Sequence, residues 1–162
     1  MRQKTIAAGL CRPIPGLLFL LVCLSCAKDD TIAISIRYRG AAAIDIATFA
    51  YESVFIDGFR DRKFTSAKDE SSKRTSVVLD AECQSIDRLV FNEKTYDLFS
   101  AQAQCKVSII DGDGRTVYAR DTGIVKGRGG TAAKAEIDAL EELKKRVAEI
   151  VAEDRARMAE AL

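Results

Sequence analysis

The chain contains no histidine. That absence removes Ser-His-Asp and Cys-His catalysis and every imidazole metal site, since each uses the ring as base, acid or ligand. Also missing is an apolar run long enough to cross a bilayer, which takes about 20 residues. The run Ile14 to Leu24 (IPGLLFLLVCL) is shorter, and Lys28, Asp29 and Asp30 close it. There is no strong charge bias either: 25 Lys and Arg stand against 24 Asp and Glu. Without a basic surplus to hold a phosphate backbone, nucleic acid is not expected as a partner.

What is present begins at the N-terminus. Arg2, Lys4 and Arg12 precede the apolar run, and no acidic residue occurs before Asp29. A basic stretch followed by a short apolar one is the pattern of a secretory signal. The run ends in Leu24-Ser25-Cys26. One reading makes Cys26 an ordinary cysteine near a cleavage site. The other rests on a resemblance: Ser25-Cys26 resembles a bacterial lipobox, in which a small residue precedes a cysteine that receives diacylglycerol and becomes the new N-terminus. Ser25 suits the small position, while Cys23 stands where a lipobox usually has Leu. The resemblance implies a signal peptide over 1–25, a lipid on Cys26 and a polar tether over 26–30. It implies a protein of the bacterial cell envelope, anchored to a membrane and facing the periplasm, with inner or outer membrane left open. Removal of the signal takes three basic residues with it and leaves an acidic excess of two.

Residues 31–152 are enough for one domain with one core. Thr31 to Arg39 alternates, with Ile32, Ile34, Ile36 and Tyr38 on one face, as in a half-buried strand. Ala41 to Phe59 has Ala47, Ala50, Tyr51, Val54, Phe55 and Phe59 at helical spacing, although its β-branched and aromatic residues also suit a strand. The charged, Ser-rich stretch 60–76 reads as a solvated loop. A period of two returns with Val77, Leu79, Ala81 and Cys83, and again from Phe99 to Ile109. Residues 92–95 form a turn between these strands, and Asp111-Gly112-Asp113-Gly114 forms another. A third strand is expected over 116–127. Thr131 is a candidate N-cap for a final helix with Ala133, Ile137, Leu140, Leu143, Val147, Ile150 and Val151 on one face. Past Val151 the stripe is lost, so 153–162 is expected to be a helical extension or a frayed tail. The order β-α-β-β-β-α predicts a small two-layer α+β domain, a mainly antiparallel sheet with two helices on one face. The final helix is expected to dock through Ile137, Leu140, Val147 and Ile150. The face bearing Asp80, Glu82, Gln84, Gln102, Gln104, Lys106 and Ser108 is then left to water or a partner.

Few residues suggest chemistry. Asp111-x-Asp113-Gly114 lacks the third oxygen ligand and closing Glu of a calcium loop, so it reads as a hairpin turn. Gly127-x-Gly129-x-x-Ala132 lacks the following strand and acidic residue of a dinucleotide fingerprint, so the glycines are expected to turn the chain from strand to helix. No cofactor, metal or catalytic residue is expected. Lipid on Cys26 would leave Cys83 and Cys105 as a pair in an oxidising compartment. If the turn at 92–95 sets the register, the two come out opposite or nearly so, within reach of a disulfide. Two buried thiols packing as small hydrophobes is the equal alternative.

The segments Ser76 to Ala81, Val107 to Arg115, Gly127-x-Gly129 and Ala135-x-x-x-Ala139-Leu140 carry a further resemblance, in element order and residue type across 31–151. They resemble the lipopolysaccharide-assembly lipoproteins, which have two helices on a four-stranded sheet. They also resemble the curli-assembly and penicillin-binding-protein-activator group. Both hold a partner protein rather than catalyse. The resemblance implies a non-catalytic periplasmic lipoprotein that binds or positions another envelope component. A different class of reading is a carrier of a small apolar ligand between sheet and helices, using Tyr51, Phe55 and Phe59.

Overall fold

The alternation of Thr31–Arg39 produces strand β1, with Ile32 and Ile34 buried on one side and Arg37 and Arg39 exposed. The computed structural model describes residues 31–41, 44–66, 74–91 and 94–162. The signal 1–25, Cys26, the tether 26–30 and the tip of the 92–95 turn lie outside the described residues.

After β1 the expected helix over 41–59 becomes two shorter pieces, a 3-10 turn at Ile46–Phe49 and helix α1 at Glu52–Gly58. Ala50 separates them with φ of 47°, a left-handed conformation that neither helix type can propagate. The solvated-loop reading of 60–76 is corrected in part. Lys63–Ser66 forms strand β2, which lies parallel to β1.

Strands β3 (Ser76–Phe91) and β4 (Lys94–Ile110) make a long antiparallel hairpin. The third expected strand is two, β5 (Thr116–Asp121) and β6 (Val125–Gly129), which pair in turn with successive stretches of β4. Gly123, with φ of 72°, lets the chain change direction between them. Thr122 carries the ladder across the corner. Its N–H donates to the Cys105 carbonyl at 2.9 Å, and its hydroxyl oxygen accepts from the Cys105 N–H at 2.9 Å. The sheet order is β2-β1-β3-β4-β5, with β6 also beside β4. β1 is parallel to both neighbours, and the other pairings are antiparallel.

Helix α2 (Ala132–Glu153) starts on Thr131, whose hydroxyl accepts the Lys134 N–H at 3.1 Å. It packs on the sheet through Ala135, Ala139, Leu140, Leu143, Val147 and Val151. The docking face differs from the expected one at its start. Ile137 is 39% exposed, while Ala135 and Ala139 are fully buried. The reason lies in the opposing strand. Gly127 and Gly129 are inside β6, and a Cβ on either would strike the backbone of α2. The glycines therefore bring helix and strand into backbone contact rather than turning the chain, and only small residues fit on the helix side. Ala81, Ala101 and Ala103 keep the rest of that face flat.

The C-terminal segment is packed, not frayed. Asp154 interrupts the helix, and α3 (Arg155–Ala161) follows it with Met158 fully buried. Asp154 accepts from the Tyr118 hydroxyl at 2.8 Å and pairs with Arg120 at 2.9 Å, which ties the helix junction to β5. The domain is thus α+β with its helices on the sheet's apolar face. Each fully buried Leu, Val or Phe of that layer contributes about 1.5–3 kcal/mol.

Candidate functional site

Because strand side chains alternate between faces, packing α1 and α2 on one face leaves the other to polar residues. The register aligns them in rows. Arg37 on β1 lies beside Asp80 on β3, Asp80 beside Lys106 on β4, and Lys106 beside Asp121 on β5. The row alternates in sign across four strands. The next row runs Arg39, Glu82 and Gln104. Arg37 approaches Asp80 at 3.8 Å, Arg39 approaches Glu82 at 3.6 Å, and the Gln104 amide donates to Glu82 at 2.7 Å. Hydrogen bonds from Gln104 and Gln84, helped by the Arg39 charge, hold the Glu82 carboxyl below its ordinary range. Together these side chains line an open groove of about 630 Å³.

The residues assigned to this face from the sequence do lie on it, though Ser108 is 7% exposed between its neighbours. Arg37, Arg39 and Asp121 complete the rows and were not among them. Their signal was the alternation of β1 and β5, since Ser35, Arg37 and Arg39 must point away from Ile32 and Ile34.

A second polar feature is buried. Glu136 on α2 is fully enclosed, and the Tyr38 hydroxyl donates to its carboxylate beside Gly40. Helical spacing alone does not mark Glu136, because its enclosure depends on Tyr38, 98 residues away in the chain.

Cys83 and Cys105 are not joined by a disulfide. The register sets Cys83 against Ala103 and Cys105 against Ala81, nearly but not directly opposite. The cysteines are diagonal neighbours, whose Cα atoms sit about 7–8 Å apart, too far for a disulfide without backbone movement. Two irregularities move the pairing off the line drawn from the turn, one between Cys83 and Ser85 and one between Arg88 and Val90. Burial pushes the Cys105 thiol up to about 12.

Tyr51, Phe55 and Phe59 are core residues, each no more than 2% exposed. The Tyr51 hydroxyl donates to the Leu140 carbonyl at 2.7 Å, and the described pockets are open surface grooves rather than spaces between sheet and helices. Nothing in this packing favours the carrier reading. In the Asp111–Arg115 turn, one Asp111 oxygen accepts the N–H groups of Asp113 and Arg115 at 2.9 Å, so that carboxylate serves the turn itself. Among the described residues no cluster of Cys, Asp and Glu is placed to hold a metal ion. No helix among them is long and apolar enough to cross a membrane.

No protein-family model matches the chain, and no curated protein matches it in sequence. Solved structures resemble it in part. A protein described as a neuraminyllactose-binding hemagglutinin homologue from Helicobacter pylori superposes with a TM-score of 0.54 at 9% identity, over 83% of this chain and 88% of that one. A minor lipoprotein from Acinetobacter baumannii gives 0.48 at 12% identity, over 76% and 92%. An uncharacterised lipoprotein B from Nitrosomonas europaea gives 0.43 at 10% identity, over 81% and 91%.

Proposed function

We propose that this is a lipid-anchored protein of the bacterial envelope that binds or positions another envelope component without catalysing a reaction. The geometric observation that carries the binding role is the open sheet face. Helices cover one face, while the other presents alternating charges in register across four strands. Ion pairs this exposed contribute little to the stability of the domain itself, so their ordering suits a complementary charged surface better than it suits folding. The location rests on the basic-apolar N-terminus and on Ser25-Cys26, five residues before β1.

The test is cross-linking in intact cells through a photoreactive residue at position 37, 104 or 106. The expected result is one discrete adduct from the charged face and none from Ile137 or Ile56, exposed on the helices of the opposite layer. A charge-reversed face (Arg37→Glu, Lys106→Glu) that forms the same adduct would sink the proposal.

A further inference from the structure

Resting on the reading of Cys26 as the lipid site, we infer that the start of the β1–β2 edge is a second contact surface, one that meets anionic phospholipid headgroups. The tether 26–30 has five residues and spans at most about 18 Å. It leads directly into Thr31, the first residue of β1. β2 runs parallel to β1 with Lys63 beside Thr31, so both strands start at the same end of the sheet. Adjacent strands lie about 4.8 Å apart, which brings Lys63 as close to the anchored end as Thr31 itself.

The turn entering β2 reads Arg60-Asp61-Arg62-Lys63, and all four residues are exposed. Among the described residues Arg60 and Lys63 have no acidic partner, and Arg62 reaches its neighbour Asp61 at 3.8 Å with Asp61 76% exposed. On the other side of β1, the Thr75 carbonyl accepts the Ala33 N–H at 3.1 Å, which sets Arg74 at the same end. The nearby Asp111 and Asp113 are already paired with Arg115. The chain as a whole is nearly neutral, yet among the described residues the turn at 60–63 brings three basic side chains to this end against one acidic one, Asp61. Basic side chains close to a membrane surface are attracted to anionic lipid, over a distance that salt shortens. By this geometry the lipid would hold the protein and the basic turn would orient it. The end of the sheet where Phe91 pairs with Lys94 then faces away from the membrane.

The processed chain is isolated from membranes and weighed, which scores the lipid independently. It is then mixed, whatever its mass, with phosphatidylcholine vesicles or with vesicles containing phosphatidylglycerol, and amide hydrogen exchange is followed. The expected result is slower exchange over 60–66 with phosphatidylglycerol only, reversed by high salt. In the Arg60→Glu/Arg62→Glu/Lys63→Glu variant the protection falls about tenfold or more, while the β4–β5 amides stay unchanged. Equal exchange in both vesicles overturns the inference, as does slowing confined to 86–98. An unlipidated mass with protection retained removes the anchor and leaves this surface standing. A lipidated mass without protection does the reverse.

Discussion

Gly127 of β6 lies against Ala139 of α2 with no room for a side chain: a Cβ built on Gly127 would come within 2.6 Å of the Ala139 Cα. The obstruction is helix backbone, which cannot step aside as a flexible side chain would. Gly127→Ala should therefore cost about 1–3 kcal/mol or more through overpacking. Gly129→Ala meets the Ala135 nitrogen at 2.5 Å and should behave alike. Gly130→Ala meets only the Asp97 carbonyl oxygen, at 4.0 Å, and should be nearly silent. Thermal melts of the three variants check the ordering. Equal losses would mean that flexibility, not close approach, explains the glycines.

That contact also shows why the sequence is partly legible. Strand and helix periodicity mark β1, β3, β4 and most of α2, because each buries one face and its apolar residues must recur with the element's own period. Gly127-x-Gly129 carries no such period. A glycine that breaks a strand and one that admits a helix look the same until the partner is known. The diagonal of Cys83 and Cys105 is hidden for a related reason, since bulges shift a register without altering alternation on either side. The polar face was readable on β3 and β4. Its continuation through Arg37 and Asp121 depended on strand order, which crosses from β2 over β1 to β3.

Exposure separates the apolar residues of α2. Leu140 is fully buried and Ile137 is 39% exposed. Leu140→Ala should lose about 2–5 kcal/mol by lost burial and the cavity left behind, whereas Ile137→Ala should lose much less. Met158 is also fully buried, so Met158→Ala or truncation after Ala152 should destabilise by an amount comparable with Leu140→Ala. Chemical denaturation curves with a shared slope test this. A truncated chain as stable as the parent would contradict the docking of α3.

Acid should loosen the same junction. Hydrogen bonds from the Tyr118 hydroxyl and Arg120 hold the Asp154 carboxyl below its ordinary 3.8, and Arg120 does the same for Glu153, ordinarily 4.5. A carboxyl with a lowered folded value stabilises the fold above its unfolded value, and that contribution is lost as pH falls through the folded one. Stability should therefore decline from about pH 4.5 downward, and less steeply in Asp154→Asn, which starts from a lower plateau. Melting temperature against pH provides the measurement. A variant with the parent's plateau and slope would show that this carboxylate does not matter.

The two thiols should differ in reactivity. Cys105 is 1% exposed and its thiol is pushed up to about 12, first by burial and then by the Asp80 and Asp121 carboxylates. Since the thiolate is the reactive form, Cys105 should resist alkylation in the folded protein. Cys83 is only partly buried and should react faster. Timed iodoacetamide labelling with peptide mapping separates them. A Cys83–Cys105 peptide recovered without reductant would contradict the diagonal register.

The last prediction concerns Cys26. A basic stretch with a short apolar run after it, a small residue at Ser25 and a cysteine at the end of that run form one constellation, and Cys26 stands five residues from the first strand. A single acyl chain binds a membrane marginally, because each buried CH₂ contributes about 0.8 kcal/mol, whereas two or more chains hold firmly. A diacylglyceryl group on Cys26 should therefore send the wild-type protein almost wholly into the detergent phase on Triton partitioning. Cys26→Ser should leave an uncleaved precursor or a water-soluble chain, since the domain has no membrane-crossing helix among its described residues. Cys23→Ser should change neither outcome, because Val22 before it is too bulky for the position a lipobox reserves for a small residue. Intact mass decides between them: the expected N-terminus is a lipid-modified Cys26, and an unmodified N-terminus at any other residue would refute the anchor.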